Sequence, residues 1–237
     1  MQFDPPLVQG TLVRRYKRFL ADVVLDDGRE VTAHCPNPGS MRTCAEPGWT
    51  VWLSPATNPS RKLKWTWEIV TAGVGGAQVL VNTARPNAVV SEAIARGEIE
   101  PLLGYARMRQ EVRYGENSRI DILLEEPAGG GPDCYVEIKN VTLASGPGCV
   151  SFPDSVTKRG AKHMAELARE VQAGHRAVVF FLVSRTDAEV MTPADAIDPN
   201  YGQALRDAVR AGVEVLAYKA RITPEGLGVA GPVEVRL

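Results

Sequence analysis

In the first third of the chain, short β-prone stretches are separated by turn sequences. Residues 7–19, 20–25, 30–34, 50–53, 62–71 and 78–81 read as strands, punctuated by Asp27-Gly28, Pro36-Asn37-Pro38-Gly39 and Asn58-Pro59-Ser60. That number of short strands over residues 1–84 predicts a small antiparallel barrel, and the OB type is the natural candidate for the size. From Arg85-Pro86 onward the pattern changes. Residues 89–96 have helical spacing, and strand-like runs follow at 109–114, 119–124 and 134–139, the last two separated by a Gly- and Pro-rich turn at 126–133. Residues 156–171 carry Met164, Leu167, Ala168 and Val171 as a helical apolar stripe. AVVFFLV, at 177–183, is the continuous apolar run of a strand buried on both faces. A helix at 201–211 and a strand at 213–218 complete an α/β region with a mixed sheet.

Composition narrows the class. With 237 residues, 44% of them apolar and 23% charged, the chain can bury a sizeable core, which excludes disorder, collagen and coiled coil. It holds no apolar run long enough for a membrane span and no secretory signal pattern, so a soluble cytoplasmic protein is expected. The net charge of −1 provides no global basic field. Cys35, Cys44, Cys134 and Cys149 form no CxxC pair and read as reduced thiols.

The residues richest in chemistry lie in Ser118-Arg119-Ile120-Asp121 and Val136-Glu137-Ile138-Lys139. Period two places Glu137 and Lys139 on one sheet face, and antiparallel pairing through the 126–133 turn would bring Asp121 beside Glu137. Two close carboxylates repel unless a cation lies between them, and hard oxygen ligands select Mg2+ or Mn2+. Lys139 could then orient the attacking water or hold charge developing on phosphorus. The same residues also read as an exposed cross-strand salt bridge.

The order of elements, a helix, three strands carrying D then ExK, a helix and a strand, resembles the core of the PD-(D/E)XK nucleases. That resemblance implies a glutamate on the first helix, and Glu92 stands at the matching place, unless it is a solvated helix carboxylate. Ile120 replaces the motif's usual proline. Over nearly the whole chain, HCPNPGSM (34–41), NPSRKLKWTWE (58–68), VNTARPNAVVSEAI (81–94), SRIDILL (118–124), VEIKNVTL (136–143) and FPDSVTKRGAKHMAEL (152–167) together resemble the sugar fermentation stimulation protein A family of bacteria and archaea. The resemblance implies an N-terminal OB-like domain, a C-terminal PD-(D/E)XK-type domain and DNA binding with little sequence preference. The family is described both as a regulator of sugar metabolism and as a DNA/RNA nuclease.

Basic residues suggest where nucleic acid would sit. Between Arg61 and Ile69, the residues Leu63, Trp65, Trp67 and Ile69 alternate with Lys62, Lys64, Thr66 and Glu68. The tryptophans read as barrel core rather than base-stacking platforms, leaving Arg61, Lys62 and Lys64 for phosphates. Arg14, Arg15, Lys17 and Arg18 form a second cluster, either a solvated strand face or a set of backbone contacts. Lys158 with Lys162, and Arg159 with His163, make two basic rows at the start of a helix that Asp154 or Ser155 could cap. The loop 36–40, with Arg42, is either an ordinary connection or a contact to substrate or to the second domain.

The expectation is therefore an α+β/α/β protein, with an OB-like β-barrel for nucleic-acid binding at 1–84 and a PD-(D/E)XK nuclease-like α/β domain with a mixed central sheet at 85–237. Asp121, Glu137 and Glu92 would hold Mg2+ or Mn2+, with the Ile138 carbonyl as a further ligand and Lys139 acting on the water. DNA and RNA are the expected partners, and cutting both strands of a duplex would call for a homodimer. The competing class is a non-catalytic DNA-binding protein influencing transcription of sugar-metabolism genes. No helix-turn-helix, phosphate loop, dinucleotide fingerprint or glycosidase-type site is legible.

Overall fold

A computed structural model describes residues 1–237. The chain opens with strands β1 (Val8–Tyr16), β2 (Leu20–Leu25), β3 (Glu30–His34), β4 (Thr50–Pro55), β5 (Trp65–Ala72) and β6 (Ala77–Leu80). The first five run in the order β3-β2-β1-β4-β5, and parallel pairing of Ala33 with Trp65 and of His34 with Thr66 closes them into an OB-like barrel. β6 continues from β5 as an antiparallel hairpin. Inside lie Leu12, Val23, Val51, Leu53, Val70 and the fully buried Trp67, whose indole N–H donates to the Ile69 carbonyl at 3.0 Å. Trp65 is half-buried against the same core.

One expectation fails inside this barrel. The alternation read through residues 61–69 puts Glu68 in a solvent row, yet it is fully buried. Trp52 pairs with Ile69 and Leu53 with Trp67, so Glu68 is the extra residue of a β-bulge; it keeps the face opposite Trp67, where Ile69 joins it and packs with the second half of the chain instead of inside the barrel. Ser54 Oγ (2.7 Å), Asn82 Nδ2 (2.8 Å) and the Arg85 guanidinium (2.6 and 2.9 Å) all donate to Glu68. A buried carboxylate is tolerable on such terms.

The rest of the chain forms α1 (Pro86–Ala95), β7 (Tyr105–Tyr114), β8 (Ser118–Pro127), β9 (Cys134–Val141), β10 (Leu143–Gly146), β11 (Cys149–Phe152), α2 (Lys158–Gln172), β12 (Arg176–Val183), β13 (Val190–Pro193), α3 (Pro199–Arg210), β14 (Glu214–Ile222), β15 (Leu227–Pro232) and β16 (Glu234–Val235). The main sheet is mixed, in the order β15-β14-β12-β9-β8-β7, with β9, β12 and β14 parallel. A smaller sheet, β10-β11-β13-β16, flanks it. β12 holds the centre, with Val178, Phe180 and Leu182 facing α1 and the barrel side, and Val179, Phe181 and Val183 facing α2 and α3. No helix is long and apolar enough to cross a membrane.

The barrel and the mixed sheet share a core. Phe3, Ile69 and Leu80 pack in one cluster with Val89, Val90, Ile122, Val136 and Phe180. They are also stapled through the loop that follows β3. Ser40 Oγ donates to the Asp154 carbonyl at 2.8 Å, and the Met41 N–H donates to the Asp154 carboxylate at 3.2 Å. The loop is shaped from behind by Arg15, whose guanidinium donates to the carbonyls of Asn37 (2.9 Å), Gly39 (3.0 Å) and Ser40 (3.3 Å). Arg15 is thus committed to the chain's own backbone and is not a free phosphate contact. A Cβ at Gly39 would collide with the Asp154 carboxylate. Gly39→Ala is accordingly expected to destabilise the protein by about 1–3 kcal/mol, as overpacking does, measured as a lower urea midpoint at unchanged slope. An unchanged midpoint would show that the staple carries no strain on closure.

Candidate active site

α1 begins at Pro86, where a ring without an N–H suits the first helical position, and its next residue, Asn87, turns toward the sheet. Asn87 Nδ2 donates to Asp121 Oδ1 at 2.8 Å. β8 and β9 are antiparallel with Ile122 opposite Val136, which carries Asp121 to the side of Glu137. The Ile138 N–H donates to Asp121 Oδ2 at 2.7 Å. On β9, Lys139 Nζ lies 2.6 Å from Glu137 Oε1, and the same oxygen meets His163 Nδ1 from α2. Glu137 Oε2 is buried with no hydrogen-bond partner. The two carboxylates and the lysine therefore meet at one point on the sheet.

The two acids are held differently, Glu137 with Lys139 and His163 beside it and Asp121 with neutral donors only. Burial, and then the negative charge of Glu137, push Asp121 up to about 6 against the hydrogen bonds from Ile138 and Asn87. Burial also works to raise Glu137, but the hydrogen bond from His163 and the charge of Lys139 outweigh it, so Glu137 stays below the ordinary range. Mg2+ is commonly held by one or two carboxylates, with water and phosphate oxygens completing the shell. Asp121 and the orphaned Oε2 of Glu137 fit such an ion.

These residues open into a cleft of about 520 Å³ at the junction of barrel and sheet. Its other walls are the loop residues Asn37, Pro38 and Gly39, the start of α1, the Phe152–Thr157 segment and Arg159. The loop 36–40 thus touches both the cleft and the second half of the chain, deciding between the alternatives left open by its sequence. Arg42 is exposed and lies outside the cleft lining.

Glu92 is not brought to this point. Its carboxylate pairs with the Met1 amino group at 2.8 Å and with Arg96, and it lines a separate cavity. Helix geometry supplies the reason: five residues beyond Asn87 is about 140° around the axis, on another face. Glu92 therefore does not join Asp121 and Glu137, and no group of three or more His, Cys, Asp or Glu side chains gathers there.

Among the basic residues, Arg159 lines the cleft. Lys158 is exposed at the start of α2, whose cap is Thr157, accepting from the Gly160 N–H at 3.0 Å, and neither Asp154 nor Ser155. Asp154 is occupied by the interlobe staple. Lys162 reaches the Glu116 carbonyl at 2.8 Å and Glu166 at 3.4 Å, and so points away from the cleft. His163 is buried, with both nitrogens engaged, and offers nothing to a phosphate. On the barrel, Lys17 and Arg18 are exposed in the β1–β2 turn. Arg14 pairs with Asp22 at 2.8 Å. Lys62 is exposed, Lys64 donates to the Pro59 carbonyl at 2.6 Å, and Arg61 donates to Thr66 Oγ1 at 3.0 Å. Lys62 and Lys64 lie in the loop before β5 and do not form a strand row.

Asn87 is the site residue that sequence reasoning passes over, and Asp154 is one it reads only as a helix cap. The one signal for Asn87 is its place just after a helix-starting proline.

Comparison with known proteins finds matches along the whole chain. Residues 13–82 match the SfsA N-terminal OB domain, and residues 84–226 match the sugar fermentation stimulation protein RE domain. The chain is 54% identical to the sugar fermentation stimulation protein homolog of Paramagnetospirillum magneticum, over 100% of its own length and 98% of that protein. It is likewise 54% identical to the homolog of Geotalea uraniireducens, over 100% of both. Its fold matches the structure of Pyrococcus furiosus SfsA in complex with Ca2+ with a TM-score of 0.88 at 24% identity, covering 100% of this chain and 98% of that one. With family models covering both halves and homologues aligned from end to end, the chain belongs to the sugar fermentation stimulation protein family.

Proposed function

We propose that this protein binds nucleic acid and hydrolyses its phosphodiester bonds with Mg2+ or Mn2+ held by Asp121 and Glu137, with little sequence preference. The observation that carries the reading is the buried, unpartnered Oε2 of Glu137 beside an Asp121 whose pKa is raised. An acid pair kept in that state costs stability unless a cation joins it. A fold relative is described in complex with Ca2+, which also takes oxygen ligands.

When bound, the ion would supply Lewis-acid polarisation of a phosphoryl oxygen and a more acidic water. The chain's own residues do the remaining work. Asn87 and the Ile138 N–H fix both oxygens of Asp121. The Lys139 ammonium, anchored on Glu137, stands at the cleft wall to orient the water or to neutralise charge on phosphorus. Lys158, exposed at the N-terminal turn of α2, provides positive charge for the backbone of DNA or RNA, and Lys17, Arg61 and Lys62 extend that charge over the barrel.

The test is an incubation of purified protein with labelled single- and double-stranded DNA and RNA, in Mg2+, Mn2+ or EDTA, beside Glu137→Ala. Cleavage is expected with either ion, absent in EDTA and at least about a hundredfold slower in the variant. Cleavage that survives in the variant would indicate a contaminating enzyme. Salt-sensitive binding without cleavage would establish instead a DNA-binding protein that retains the nuclease-like fold without catalysis.

A further inference from the structure

We infer that His163, set by Arg159, is a positioning residue that keeps one oxygen of Glu137 occupied so that the other stays free for a divalent cation. The inference rests on the metal reading of the cleft. A carboxylate turns easily about its last torsion and can present either oxygen. Here both available donors converge on the same one: Lys139 Nζ at 2.6 Å and His163 Nδ1 both meet Oε1, and Oε2 is left buried and without a partner.

The imidazole is itself directed. Arg159 precedes His163 by one helical turn, and its Nε–H donates to His163 Nε2 at 3.2 Å. Because a guanidinium only donates, Nε2 is the accepting nitrogen and Nδ1 carries the proton offered to Glu137. Lys139 lies 3.4 Å from Nδ1, farther than from Glu137, so it does not compete for the imidazole. His163 is only 4% exposed and both its nitrogens are engaged, so the ring has no free donor or acceptor for substrate. The four-residue spacing of Arg159 and His163 is therefore a relay into Glu137 and not a pair of phosphate contacts.

The experiment titrates Mn2+ alone, by calorimetry, into the full chain and into His163→Leu, His163→Asn, Arg159→Ala and Glu137→Gln, with melting in EDTA as the folding control. Leucine removes the donor, whereas the asparagine amide nitrogen falls near the place of Nδ1. The leucine variant is expected to bind Mn2+ about tenfold or more weakly, and the asparagine variant within about threefold of wild type. Arg159→Ala is expected to give a mixed tautomer for His163 in the imidazole 15N spectrum and an Mn2+ affinity reduced about threefold. Wild-type affinity in a folded leucine variant overturns the inference, as does an asparagine variant that loses as much as leucine. Should His163→Leu not fold, Arg159→Ala decides: an unchanged tautomer together with unchanged affinity overturns it. If Glu137→Gln binds Mn2+ as wild type does, the metal reading fails rather than the positioning role.

Discussion

An Asp121→Asn protein is expected to resist denaturant better than wild type at pH 8 in EDTA, while cleaving nucleic acid about a thousandfold more slowly or worse. The two effects share one cause. Asp121 is raised from 3.8 to about 6 in the folded chain, first by burial and then by Glu137. Between those values the folded state binds a proton that the unfolded chain has released, so stability falls as pH rises from about 4 to about 6 and remains lowered above that. The shift is on the order of 3 kcal/mol. An amide cannot ionise, so the variant should lose this slope. Its oxygen can still accept from the Ile138 N–H, and Asn87 can turn its own amide to accept from the new one. Adding Mn2+ should reverse the order, because a ligand bound only by the folded wild type stabilises it by mass action. Urea melts at pH 4.5 and pH 8, with EDTA and with Mn2+, check all of this. A variant less stable than wild type at pH 8, with its pH slope intact, would show that the acid pair is not the strained element.

Removing the carboxylate of Glu68 should have the opposite sign and a comparable size. Glu68→Ala strands Arg85, Asn82 and Ser54, whose donors all end on that one side chain. Breaking a buried ion pair from one side costs about 3–5 kcal/mol. For a protein of this length that is a fall in melting temperature of roughly 6–20 °C, readable by calorimetry. The damage should reach the cleft, since Arg85 leads directly into Pro86 and Asn87, the residue that holds Asp121. A melting temperature within two degrees or so of wild type would mean that the network adds little beyond its packing.

What the sequence made legible was whatever rests on a strict period or an unbroken run. AVVFFLV could only be a strand covered on both sides, and β12 is the central strand of the main sheet. Period two put Glu137 and Lys139 on one face, and they touch. Short pieces escaped. β10, β11, β13 and β16 span four residues or fewer, too few to show a period, and β15, LGVAGP, is punctuated by glycine and proline like a loop. The side-chain misreadings come from geometry that spacing does not encode. A bulge turned Ile69 out of the barrel, Asn82 and Arg85 closed over Glu68, helical rotation carried Glu92 away from Asp121, and Arg15 and His163 found partners distant in the chain. A basic residue counted as free for phosphate is free only if no carbonyl or imidazole within the fold claims it first.

The shared core has a consequence for how the protein is made. Phe3, Ile69 and Leu80 are covered by side chains as far along as Ile122, Phe180 and Val229. A ribosome adding about 5–20 residues per second finishes the barrel strands first and delivers their partners later, a delay of roughly 7–30 s. Throughout that interval the newborn barrel shows an oily flank to solvent, which makes the nascent chain, rather than the finished protein, the form most in need of a chaperone.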